Sequence, residues 1–299
     1  MALIPLNPPA AAVPERYAAA DGPRILKLWH LASVDAPSVA VVWACALAWT
    51  AHVGPSWATI TALALVVWAI YVLDRLLDGQ AGVRGERNGL KERHHFHWKH
   101  RNKLVWLAAT GSVAAICLAL PNLARRGLRP DSAVAAAMLI YFGGVHGGSG
   151  GLRRMLKRAS ALISRDLVVA AIFTAGCVLP ALTATRQENA TLIPLAAPAA
   201  ALAGLAWLNL HAIGRWENDA PLAGGLIRPA LVLAGLSISG AAALLGAEPR
   251  SAALLAMAGM SSLLLLLLDR VRGRLEPVTL RAAADLVLLT PLFLAGFTL

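Results

Sequence analysis

The sequence predicts an all-α, polytopic membrane protein with nine transmembrane helices around a cytoplasm-facing cavity. Three observations predict it. Hydrophobic residues make up 58% of the 299 positions and charged residues 14%, where soluble domains run at about 45–50% and about 25%. Mean hydropathy is +0.63. Nine segments also approach the roughly 20 mostly apolar residues needed to cross a bilayer.

Residues 1–32 read as a cytoplasmic tail, and its Pro- and Ala-rich part, 1–28, has a composition that suits disorder rather than a packed core. The first apolar run begins too late for a cleavable signal peptide. From Arg24 onward the tail can form a short interfacial helix ending near His30. The transmembrane domain spans 33–299, with helices expected at 33–53, 56–78, 103–120, 131–147, 166–184, 192–214, 226–246, 250–268 and 279–297. The fourth is diluted by Gly143, Gly144 and His146, and Asp166 opens the fifth. Cys45, Cys117 and Cys177 all fall inside these spans, unpaired in spacing, which argues against disulfides and thiolate metal sites. Trp29, Trp49, Trp57, Trp98 and Trp216 fall near span ends, the headgroup level favoured by amphipathic rings.

Net charge is +11, and topology explains it. With the N-terminus inside, 22 of the 27 Lys and Arg residues lie on the cytoplasmic side, leaving Arg125, Arg126, Arg129, Arg186 and Arg250 opposite. That is the positive-inside pattern. It predicts a bacterial-type inner (plasma) membrane protein. No basic module with interleaved aromatics points to nucleic acid.

Asp74 and Asp78 close the second span four residues apart, so a helix places both carboxylates on one face. Paired like charges at a membrane helix end suggest a use, and Mg²⁺ is a hard cation held by oxygen ligands and substrate phosphates. The plainer alternative is neutralisation by Arg75 and its basic neighbours. The His-rich stretch Glu92–Arg101 follows. His97 and His100 share a helix face, yet a helix lying on the interface suits it better than a transition-metal site. The sixth span ends with Asn209, His211, Arg215, Glu217 and Asp219. Arg153, Arg154, Lys157 and Arg158 precede the fifth span and suit anionic lipid or a phosphate. Asp285 lies inside the ninth span, one turn after Arg281, and reads as its structural partner.

Taken with the nine-span layout, these acids resemble the UbiA superfamily of intramembrane prenyltransferases, a family with Asp-rich motifs after its second and sixth helices. The resemblance covers about 33–297 in layout. Asp74 and Asp78 match the later acids of the first motif, with Ile70 where the family has Asn. Glu217 and Asp219 fall at the second motif, with Arg215 at its first acidic position. The resemblance implies Mg²⁺ held by Asp74, Asp78, Glu217 and Asp219. It implies catalysis by Asp74, Asp78, Asp219 and Lys157, and substrate contacts from Arg84, Arg87, Tyr71, Asn209 and Arg158. The partners implied are a prenyl diphosphate and a membrane-soluble acceptor. A non-catalytic transporter or lipid-binding scaffold is the other reading of the same acids.

Overall fold

The computed structural model describes residues 22–83, 92–126, 164–188, 191–218 and 225–297. The expected fourth span, 131–147, lies outside them. Among the described residues the chain is helical and forms no sheet. The helices are α1 (Arg24–Leu31), α2 (Asp35–Thr50), α3 (Trp57–Val83), α4 (Glu92–Lys99), α5 (Arg101–Arg126), α6 (Arg165–Glu188), α7 (Ile193–Glu217), α8 (Ile227–Leu244), α9 (Pro249–Val271) and α10 (Pro277–Leu286), the last continued by a 3₁₀ segment, Val287–Phe297. Seven of the described helices are long and apolar enough to cross a membrane, or eight if the bent pair α1–α2 is one span. The chain is thus a multi-pass, all-helical membrane protein.

Sequence explains where these elements begin and how closely they pack. Pro194, Pro249 and Pro277 occupy the first turns of α7, α9 and α10, where a missing N–H costs nothing. In α2, Ala36, Ala40, Ala44 and Ala48 recur every four residues and are all buried. Such a small-residue stripe lets neighbouring helices approach closely. On the same helix Trp43 is fully buried and donates its Nε1–H to Leu288 O at 2.9 Å. Gly259 of α9 does similar work, since a Cβ there would meet Ile238 Cγ1 of α8 at 3.1 Å. Hydroxyls tie α9 to its neighbours: Ser262 Oγ donates to Ala230 O, and Ser261 Oγ to Val287 O, both at 2.8 Å. Polar links of this kind hold helices together where lipid removes the hydrophobic drive.

The outer helices look the opposite way. Leu231, Val232 and Leu236 of α8 and Val105, Trp106 and Leu107 of α5 are exposed, a surface matched to lipid chains rather than water.

Two departures from the sequence reading bear on function. The first span is preceded by a corner: α1 meets α2 at 86°. Ser33 makes the bend with φ +60°, a left-handed conformation that non-glycine residues seldom adopt. The corner is held by Trp68 Nε1–H donating to Ala32 O at 3.0 Å and by Ser33 Oγ paired with His97 Nε2 at 3.0 Å. The ninth span starts at Pro277, and its second half tightens to 3₁₀ geometry around Pro291.

Candidate functional site

The 86° corner brings His30, at the end of α1, back over the start of α2. His30 Nδ1–H donates to Asp35 Oδ2 at 2.5 Å. Arg75 of α3 reaches the same place: Nη1 donates to His30 O at 2.5 Å and Nη2 to Asp35 Oδ2 at 3.3 Å. The Ala36 amide donates to Asp35 Oδ1 at 3.0 Å. All three side chains are buried, with Asp35 only 1% exposed. Across from them Asp285 Oδ2 lies 3.9 Å from His30 Nδ1, while Asp285 Oδ1 accepts Asn209 Nδ2–H at 2.9 Å. Four helices, α1, α2, α3 and α10, thus contribute ionisable groups to one cluster, and α7 braces it.

One atom of each of His30, Asp35 and Asp285 lies within 4.8 Å of the others, a spacing that could hold a metal ion. Arg75 argues against that use, because its guanidinium already occupies Asp35 and would stand beside any cation. Charge arithmetic gives another balance. Arg75 is permanently cationic, so two carboxylates need one further positive charge, and a single proton shared within the group supplies it. Buried charges persist in membranes only when paired in this way.

Beside the cluster lies a small recess of about 40 Å³, with Tyr71, Asn209 and Asp285 at its polar side. Its remaining wall is apolar, including Val39, Val169, Phe173 and Leu288. Asn209 is 7% exposed, and its Oδ1 has no hydrogen-bond partner among the described residues.

Of the residues singled out from sequence, Tyr71 and Asn209 meet in this recess. Asp74 and Asp78 are half-buried on α3, one and two turns beyond Tyr71, and Asp78 Oδ2 lies 3.8 Å from His94 Nε2 of α4. Glu217 ends α7, two turns beyond Asn209, and pairs with Arg281. Glu276, which precedes α10, pairs with Lys27 of α1 at 2.5 Å. These links put Asp78 and Glu217 at the same end of the bundle as α1. Arg84, Arg87, Lys157, Arg158 and Asp219 lie outside the described residues.

Two expectations are overturned. Asp285 does not pair with Arg281: the arginine reaches Glu217 instead, and Asp285 turns into the bundle toward Asn209. Arg75 takes no part in neutralising Asp74 and Asp78, although the plainer alternative counted it among their basic neighbours. It stands 100° round the helix from Asp74, faces inward and serves Asp35. The His-rich helix also turns inward, burying His94 and His97.

Sequence reasoning missed His30, Asp35 and Arg75 as a unit. The available signal was Asp35 itself, a lone acid opening an apolar span, where a charge needs a partner.

Compared with known protein families, curated proteins and solved structures, the chain matches none.

Proposed function

We propose that the chain is an intramembrane enzyme transferring a prenyl group from a polyprenyl diphosphate to an acceptor. One observation carries this: an apolar recess, polar at Tyr71, Asn209 and Asp285, lies within two helical turns of Asp74, Asp78 and Glu217. Asp74 and Asp78 fit a magnesium ion chemically, being paired oxygen donors on one helix face, and Mg²⁺ is held by carboxylates together with substrate phosphates and waters. Mg²⁺, when bound there, supplies Lewis-acid stabilisation of the leaving diphosphate.

The chain's own residues account for the rest. Asp74 and Asp78, with Glu217 and Asp219, would hold the cation. Arg84, Arg87, Lys157 and Arg158 contact diphosphate oxygens through charge-assisted hydrogen bonds. The allylic C–O bond breaks and the diphosphate leaves with the bonding pair. The apolar wall shelters the allylic cation, and the Tyr71 ring offers its face to it. A new bond forms to the acceptor, which gives up a proton. By charge asymmetry the acids face the cytoplasm of an inner-membrane protein with its N-terminus inside.

Purified protein given a panel of prenyl diphosphates should release diphosphate only with Mg²⁺. Asp74→Ala should abolish the Mg²⁺-dependent thermal shift that the diphosphate produces, and Glu217→Ala should weaken it less. No release and no shift across chain lengths would reject the enzyme. A transporter is the second reading, favoured by the buried His30–Asp35–Arg75–Asp285 cluster, since ionisable groups inside membranes mark ion pathways. Cation-dependent uptake into proteoliposomes, lost in Asp285→Asn, would favour it.

A further inference from the structure

We infer that the recess between α2, α3, α6, α7 and α10 is a binding subsite for a neutral alcohol, whose hydroxyl donates to Asn209 Oδ1. The argument begins with how the amide is fixed. The Asn209 NH₂ donates to Asp285 Oδ1 at 2.9 Å, which leaves the amide oxygen for another partner. That oxygen is buried without a hydrogen bond among the described residues, and Asn209 lines the recess. A buried acceptor left unmatched is destabilising, so the site is built for a donor.

The neighbouring charges select what kind. Asp35 is served by His30, Arg75 and the Ala36 amide, so its oxygens need nothing from a ligand. Arg75 and one proton balance Asp35 and Asp285, so an added cation has no missing charge to supply. An anion would face Asp285 and a carbonyl oxygen, both acceptors. A neutral O–H satisfies the open lone pair without disturbing that balance. The rest of the ligand must be carbon, because Val39, Phe173 and Leu288 offer it only apolar contact.

The inference concerns binding and does not require prenyl transfer; where that reading holds, the alcohol occupies the acceptor's place. The test therefore omits Mg²⁺ and diphosphate, so its failure is separate from failure of the release assay. The purified full chain is photolabelled with a six-carbon alcohol bearing a diazirine, and labelled peptides are mapped by mass spectrometry. Label should appear in peptides holding Phe173, Asn209 and Leu288. Cyclohexanol should displace it about tenfold more effectively than methylcyclohexane at equal membrane concentration, the factor one hydrogen bond supplies. Asn209→Leu should remove that preference. Equal displacement by the two competitors would overturn the inference, as would label that neither displaces. If Asn209→Leu does not fold, the competitor comparison on the unsubstituted chain decides alone; if it folds and keeps the preference, Asn209 is not the acceptor.

Discussion

Arg75→Met tests the buried cluster most directly. The substitution keeps an unbranched chain of similar length in α3 but removes the guanidinium from Asp35 and from His30 O. Arg75 and Asp35 side chains are 7% and 1% exposed, so solvent cannot take over the lost contacts. Breaking a buried pair by deleting one partner costs about 3–5 kcal/mol. At about 2–4 °C per kcal/mol, the scale for domains of 150–250 residues, the unfolding midpoint should fall by about 6–20 °C. The assay is thermal unfolding in detergent, followed by tryptophan fluorescence. Asp35→Asn added to Arg75→Met removes the stranded charge and should restore at least half of the loss, because much of the single-variant cost is the unpaired carboxylate. A midpoint within about 1 °C of the unsubstituted chain for Arg75→Met would refute the reasoning, as would a double variant that falls by the full sum of the two singles.

Other perturbations separate close packing, hydrogen bonding and surface charge. Trp43→Phe removes the donor to Leu288 O and leaves space in the core, so stability measured by the same assay should drop by about 1–3 kcal/mol. Gly235→Ala, where nothing lies within 4 Å of an added Cβ, should stabilise α8 by up to about 1 kcal/mol. Gly259→Val should cost about 1–3 kcal/mol by overpacking against Ile238; equal effects of the two glycine substitutions would contradict the packing described. Cysteines introduced at Arg93, Lys157 or Glu217 should react only with reagent on the cytoplasmic side, and labelling from the other side would overturn the orientation.

Seven of the expected spans, those matched by described helices long enough to cross, were legible in the sequence because membrane crossing is a property of a segment alone. The run at 192–214 matches α7, Ile193–Glu217, within three residues. Tyr71 and Asn209 were also recoverable, being polar groups in apolar helices. Partner choice was not legible. Arg281 is one turn from Asp285, and local spacing favours that pair, yet Glu217 on another helix takes the arginine. Arg75 sits beside Asp74 in the chain, but side chains one residue apart point in different directions. The short helix ending near His30 was legible, but not its docking, since the Ser33 corner is what folds it onto the bundle. Such choices depend on the azimuth of each helix, which its neighbours set.

The cluster draws on residues from 30 to 285, and that span orders its assembly during synthesis. Asp35 enters with the first crossing helix, when only His30 across the corner is at hand. Arg75 arrives with the next helix and settles most of the debt of desolvation. Asp285 comes more than two hundred residues later, on the last helix, which also carries the Leu288 carbonyl that receives Trp43. Until that helix inserts, the Asn209 amide and the Trp43 indole lack their final partners. A chain stalled before residue 277 would therefore hold a bundle with exposed polar groups at its centre, a natural mark for membrane quality control.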